Sequence, residues 1–424
     1  MFIVSVFFRI VNGKSVIMPS GDTRDDAELT DACAGLKMNR VPDNMSKTGD
    51  KMTYNTIKNV LPHFCFQGQY KGVSELTSGN INSTYLLEYQ DGIQSCLYIL
   101  QHINTYVFKN PREVISNISA VTDHLRAALR RNHEDTARRV LELIPTHAGS
   151  NLHEDADGDV WRAYAYIENA RALDVVTSTY EMEQVGRGFG SFQRLLYDFP
   201  AQDLFCPIPN FHHTLKRFYA FVRSVDEDRA GRVKHLNDEI EFMFERRRMM
   251  GSIVKMLDEG VIPYRVTHND TKSNNVMLDN TTGEAICVID LDTVMAGSSL
   301  YDYGDAVRFG ASTAAEDEPD ISKIALDMDK ANAFTKGFVE ETNGFLTHAE
   351  LMNLPLGIKV LTCELAMRFL TDYIDGDVYF RVNSPEHNLV RARAQMALLR
   401  DIERREKDLQ AMTERCIAGS KSLK

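Results

Sequence analysis

The stretch that most constrains the fold is residues 265–292, RVTHNDTKSNNVMLDNTTGEAICVIDLD. VMLD and AICV are short apolar runs on either side of a TTG turn, which predicts a strand–turn–strand hairpin. A hairpin brings its two ends together, so the loop HNDTKSNN must lie beside IDLD. That fold-back turns a separation in sequence into a site.

The residues so gathered form a phosphoryl-transfer set. An alcohol hydroxyl, with a pKa far above neutrality, attacks phosphorus poorly unless a carboxylate accepts or orients its proton, and Asp270 is the candidate base. Lys272, two residues on, is a point cation for the transferring group. Asn275 offers a neutral oxygen and Asp290 a charged one, the sparse oxygen set that Mg²⁺ takes alongside ATP phosphates and water. Asp292 is a weaker second contact for the metal, and His268 is assigned to positioning the loop. Taken singly, these are a turn aspartate, a capping asparagine and a strand-end aspartate. Together, in the order HxDxKxxN, hairpin, IDLD, they predict a small-molecule kinase using ATP and Mg²⁺.

Composition removes other classes. A chain of 424 residues, 43% hydrophobic and 25% charged, can bury a large core over two or three domains. Its net charge of −12 argues against nucleic acid as a partner, because a grip on a phosphate backbone needs a basic face. The densest cationic run, ERRR at 245–248, sits in a mixed-charge helical context and reads as a solvated face. Seven cysteines, none spaced as CxxC, indicate neither a disulfide framework nor a zinc site and fit reduced thiols in a cytoplasmic protein. No apolar run approaches the roughly 20 residues of a bilayer span. The opening MFIVSVFFRIV lacks a basic start and a small-residue cleavage pattern, so neither a membrane segment nor a signal peptide is expected.

Residues 1–51 are mostly polar without lasting periodicity and are expected to form a flexible extension, with Met52 an alternative start just ahead of the first helical pattern. A nucleotide-covering lobe is expected over 52–168. In it NTIKNVLPHFCF puts Ile57, Val60, Leu61 and Phe64 on one helical face, and the segment from Tyr70 to Ile103 reads as strands joined by turns at SGN and QDG. Gly79 is the candidate glycine over a nucleotide, although SGNINSTY has one glycine where a phosphate loop has three and reads more simply as an ordinary turn. A helix opened by Pro111 follows. DVWRAYAYIEN is an aromatic strand whose plain role is core, while its functional role is a flat slot for adenine, with Tyr166 the candidate. A second lobe is expected over 169–415 and a tail over 416–424. In the second lobe GRGFG at 186–190 imitates a phosphate loop. Val185, Phe189, Phe192, Leu195, Leu196 and Phe199 keep helical spacing through it, so the glycines are expected to let helices approach closely. His212 and His213 lack a third ligand at metal spacing.

HNDTKSNN, IDLDT and the following SLYDYGDAVRFGAS resemble the aminoglycoside phosphotransferase and choline kinase superfamily, and within it the N-acetylhexosamine 1-kinases. The similarity runs from about 54 to 410, through INSTY (81–85), YILQ (98–101), RFGASTAAEDE (308–318), ELAMRFLTDYIDGDVYF (364–380) and PEHNLVRARAQ (385–395). The resemblance implies an α+β, two-lobed, protein-kinase-like fold with a small β-rich N-lobe and a large, mostly helical C-lobe. It further implies ATP with Mg²⁺, and phosphorylation of the anomeric hydroxyl of GlcNAc or GalNAc to the sugar 1-phosphate. By position it makes Asp270 the base, puts Asn275 and Asp290 on magnesium, and gives Arg368 and Tyr379 to the amino sugar. On helical spacing alone Arg368, four residues from both Glu364 and Asp372, is equally a rung of a salt-bridge ladder. Asp302, Asp305 and Arg308 are expected to brace the catalytic loop.

Three positions depart from the pattern. Gln101 ends the strand that carries a lysine in protein kinases, so it is a cofactor-side candidate without that charge. Asn80 stands where the family can have His, which puts one sugar or phosphate contact there in question, and His213 stands where relatives have Asp. A sister reading keeps the chemistry but takes an aminoglycoside, choline or homoserine; a cationic substrate of that kind calls for an acidic site. A reading of another class, suggested by the lost lysine, is a non-catalytic nucleotide-binding regulator.

Overall fold

The computed structural model describes residues 7–11, 14–18, 54–76 and 81–421. Strands β1 (Phe7–Val11) and β2 (Lys14–Met18) pair antiparallel, so part of the expected extension is a hairpin, while the rest of 1–51 lies outside the described residues.

The first lobe is built on an antiparallel sheet of β3 (Gln69–Leu76), β4 (Ser83–Asp91), β5 (Gln94–His102), β6 (His153–Glu154) and β7 (Val160–Ala165), in the order β3-β4-β5-β7-β6. Alternation along the strands decides what each face does. Tyr85, Leu87 and Tyr89, Tyr98 and Leu100, and Trp161 and Ala163 point into one buried cluster. Helix α1 (Tyr54–Val60) and the turn after it close that cluster with Ile57, Val60, Leu61 and Phe64, the face predicted from the sequence. The intervening residues Thr84, Ile99, Gln101, Arg162 and Tyr164 are left to line a cleft. Helix α2 (Pro111–Arg131) packs beside the sheet, its Pro111 in the first turn where the missing N–H costs nothing.

After Tyr166 the chain enters the second lobe through β8 (Ala170–Arg171). Strand β9 (Arg265–Thr267) leads to the HNDTKSNN loop, and β10 (Val276–Asp279) and β11 (Ala285–Val288) form the predicted hairpin, with Val276 opposite Val288. β8 extends that hairpin, and β12 (Met295–Gly297) pairs with β9. The rest is helical: α3 (Thr179–Leu195), α4 (Thr214–Glu227), α5 (Asn237–Glu245), α6 (Arg247–Met250), α7 (Ser252–Asp258), α8 (Ser299–Gly310), α9 (Met328–Thr342), α10 (His348–Met352), α11 (Leu354–Asp375), α12 (His387–Arg404) and α13 (Glu406–Lys421). α13 runs straight through the boundary expected at 415, so residues 416–421 of the expected tail are the last turns of a helix, and 422–424 lie outside the described residues. α11 is buried around most of its circumference, as suits a central helix packed by neighbours on several sides. The sequence GRGFG lies inside α3, where Val185, Phe189 and Phe192 are buried. A Cβ on Gly186 would collide with the Phe334 carbonyl of α9, and one on Gly337 of α9 with the Glu183 carbonyl of α3. The glycines therefore serve close helix contact. The architecture is α+β, an antiparallel sheet lobe joined to a larger helical one.

Candidate active site

The loop between β9 and β10 is pinned before any ligand is considered. Asp302 on α8 accepts the main-chain N–H groups of His268 (2.9 Å) and Asn269 (2.8 Å), and the Gln193 amide donates to it at 2.8 Å. The Thr271 hydroxyl donates to the Asp302 carbonyl (2.7 Å) and Thr293 to that of His268 (2.7 Å). His268 lies edge-on to Phe189 and Phe192; its Nε2 donates to the Ile289 carbonyl (2.8 Å), while Nδ1 is 3.3 Å from the Asp270 N–H and accepts from it. Asn269 adopts φ 65°, a left-handed conformation that Asn tolerates better than most side chains. Of the three residues expected to brace the loop, Asp302 bonds it directly, whereas Asp305 and Arg308 pair with each other and Arg308 reaches on to Glu316.

Asp270 is thereby presented to the cleft. Lys272 Nζ lies 2.9 Å from its carboxylate, and Asn275 Nδ2 donates to its carbonyl at 2.8 Å. Burial works against the Lys272 charge, but Asp270, Asp305 and Glu316 outweigh it and hold the ammonium above its usual range. The hairpin returns as predicted: Ile289 N–H donates to the Asn275 carbonyl (2.9 Å), which puts Asp290 next to Asn275.

Asp290 has φ 59° and ψ 59°, a left-handed backbone costing about 1–2 kcal/mol in a residue with a Cβ. Its carboxylate opens to the cleft yet is crowded by protein on its other sides, and this enclosure, together with the charges of Asp292 and Asp270, pushes its pKa up to about 6. Among the described residues it accepts no hydrogen bond. Since Asn275 uses its amide nitrogen on Asp270, its amide oxygen is left free. A neutral and a charged oxygen, both without partners beside excess negative charge, fit a hard divalent cation such as Mg²⁺. No trio of His, Cys, Asp or Glu among the described residues is arranged to hold a metal alone, so phosphate and water oxygens would complete its shell.

These residues share a cavity of about 320 Å³ with Gln101 and Tyr166 from the other lobe. Gly79 and Asn80 lie outside the described residues. Asp292 has partners of its own: both carboxylate oxygens face Arg162, with Nη2 2.9 Å from Oδ2, and Asn82 donates to Oδ2 at 2.7 Å. Arg162 and Asn82 escaped the sequence reading. The available signal was an arginine on the cleft-facing alternation of an otherwise apolar strand.

Arg368 and Tyr379 meet in a second cavity of about 180 Å³, shared with Arg217, Thr371, Asp372 and Phe380. The salt-bridge ladder does not form. Glu364 turns to His212 (3.0 Å) and Arg217 (3.4 Å), and Asp372 accepts the N–H groups of Val378, Tyr379 and Phe380 at 2.7–2.9 Å and the Asn388 amide at 2.8 Å. Arg368 makes no ion pair within 4.0 Å among the described residues; its guanidinium lies 5.4–5.8 Å from the ring centres of Phe211, Tyr379 and Phe380. Burial and the neighbouring Arg368 pull the Arg217 guanidinium down to about 10. His212 ties this cavity to the catalytic loop, its Nε2 3.3 Å from the Asn269 carbonyl. His213 caps α4 by accepting from the Lys216 N–H.

Comparison with known proteins identifies the family and the fold. The model of the phosphotransferase enzyme family APH matches residues 72–329. Among solved structures, choline kinase from Cryptosporidium parvum Iowa II is similar at 11% identity, with 83% of this chain and 94% of that chain covered and a TM-score of 0.51. A spectinomycin phosphotransferase in complex with ADP and spectinomycin is similar at 13% identity, covering 82% of this chain and 96% of that one, with a TM-score of 0.50. Aminoglycoside phosphotransferase from Alicyclobacillus acidocaldarius gives 9% identity, 81% and 92% coverage, and a TM-score of 0.50. With a family model spanning more than half of its length and the HNDTKSNN loop inside that span, the chain belongs to the APH phosphotransferase family.

Proposed function

We propose that this phosphotransferase moves the γ-phosphoryl group of ATP to the anomeric hydroxyl of an N-acetylhexosamine, giving the sugar 1-phosphate. The observation that carries phosphoryl transfer is the convergence of Asp270, Lys272, Asn275 and Asp290 on one cavity. Asp270 accepts the hydroxyl proton, held in place through its own carbonyl by Asn275. Lys272, within reach of the same carboxylate, meets the charge on the transferring group. Mg²⁺ held by Asn275 and Asp290 would neutralise the β- and γ-phosphate oxygens. Tyr166 and Gln101 line the nucleotide side, and the ADP bound to the spectinomycin phosphotransferase supports ATP as donor.

The side chains of the second cavity support the choice of acceptor. Choline or an aminoglycoside would meet the guanidinium groups of Arg217 and Arg368, while of the two carboxylates lining the cavity Asp372 already accepts three main-chain N–H groups and Asp375 accepts the Ser224 hydroxyl. A neutral sugar suits the place better: Tyr379 and Phe380 offer rings for its C–H face, and Arg368 offers donors for hydroxyl and acetamido oxygens. The resemblance of 364–380 to N-acetylhexosamine 1-kinases points the same way. An ADP-release assay over GlcNAc, GalNAc, choline and spectinomycin tests the choice. Turnover on the amino sugars alone is expected; turnover on choline or spectinomycin, with none on the sugars, transfers the assignment to the sister reading.

A further inference from the structure

The cavity that would hold the nucleotide lacks the strand lysine of protein kinases, and Gln101 occupies its place on β5. Among the described residues the cations lining this cavity are Lys272, engaged by Asp270, and Arg162. Arg162 is the direct β7 neighbour of Gln101, and its Nε donates to Gln101 Oε1 at 2.9 Å, while the other end of that amide donates to Thr84 at 3.0 Å. The guanidinium is thus oriented from its own sheet. Its two terminal nitrogens face both oxygens of Asp292 in the second lobe, a pair only 1% and 4% exposed. Asn82, just ahead of β4, adds a third donor to the same carboxylate, and its own Oδ1 accepts the Asn104 N–H at 2.9 Å.

We propose that Arg162 takes over the task of the absent lysine as a positioning residue: it clamps Asp292, and with it the loop carrying Asp290, to the sheet that covers the nucleotide. Asp292 is then a tether between the lobes and not a metal ligand. A planar fork suits this task, since it fixes distance and orientation together where an ammonium fixes only distance. Sealing an ion pair in a protein interior is a poor route to stability, because apolar replacements often match it. Geometry is what the pair supplies.

The proposal rests on the nucleotide reading of the cleft and is independent of the sugar. Binding of ADP to the full chain, titrated by calorimetry at several Mg²⁺ concentrations, tests it. Arg162→Met should weaken MgADP binding about 10- to 100-fold, as loss of a supporting contact does. Gln101→Lys/Arg162→Met, which returns a cation one strand away, should recover most of that loss. Asp292→Asn should leave the Mg²⁺ concentration for half-maximal binding within about threefold of the parent, whereas Asp290→Asn should raise it more than about tenfold. Should Arg162→Met fold poorly, Arg162→Met/Asp292→Leu removes both charges together and should bind MgADP no more weakly than Asp292→Asn alone. Parent-like binding by Arg162→Met, or an Asp292→Asn variant as magnesium-demanding as Asp290→Asn, overturns the clamp. Failure of the parent chain to bind MgADP would sink the nucleotide reading itself and the clamp with it.

Discussion

Replacing Asp302 by alanine would remove a support that touches no substrate. The carboxylate is 1% exposed and accepts from His268 N–H, Asn269 N–H and the Gln193 amide. Hydrogen bonds to a charged group contribute about 1.5–3 kcal/mol each, and the three donors would be left buried without partners. Against this stands the relief of taking a carboxylate out of the interior, so the net loss should be about 3–5 kcal/mol. That is a large part of the roughly 5–15 kcal/mol by which domains are stable. Asn269 adjoins Asp270, so the proposed base moves with the loop, and a displacement of about 1 Å can cost on the order of 100-fold in rate. Urea denaturation and steady-state kinetics, measured below the denaturation onset, read both effects. Asp302→Asn keeps one acceptor and should fall between parent and alanine variant. An alanine variant within about 1 kcal/mol of the parent in stability and within about threefold in kcat/KM would refute the bracing argument.

Asp270→Ala should lower kcat by about two orders of magnitude or more while MgADP affinity changes little, because a base acts mainly in the transition state; a parallel collapse of nucleotide binding, read by calorimetry, would contradict the assignment. Arg368→Ala should raise the sugar KM about tenfold or more with kcat largely kept, since it removes donors from a second cavity and leaves the reacting groups in place; unchanged sugar kinetics would return Arg368 to a purely structural part. Gly186→Ala forces a methyl into the Phe334 carbonyl, so the chain should lose about 1–3 kcal/mol in urea denaturation despite alanine's better helix propensity. A stabilised variant would mean that α3 and α9 can separate at no cost.

What could be read from the chain alone depended on how local the determining interaction is. The hairpin between Asn275 and Asp290 announces itself through a turn and two short apolar runs, so the convergence of Asp270, Lys272, Asn275 and Asp290 on one cleft was legible. GRGFG was legible for the same reason, its apolar residues keeping helical spacing across the glycines. Arg162 was not, because its partner Asp292 lies 130 positions away and nothing in VWRAYA says which lobe will meet it. Arg368 shows the limit of spacing rules: Glu364 and Asp372 stand within reach on the helix, but burial commits them to His212, Arg217 and main-chain donors instead. Adjacency along a helix names candidates, and competition inside the core chooses among them.

The reaction product is the most direct test of a sugar 1-kinase. With the full chain, ATP, Mg²⁺ and GlcNAc or GalNAc, ³¹P NMR should reveal an acid-labile phosphate on the anomeric carbon, growing as ATP falls and ADP appears. An Asp270→Asn preparation should give none. Phosphate on another hydroxyl, or no sugar phosphate above the Asp270→Asn control, would contradict the account.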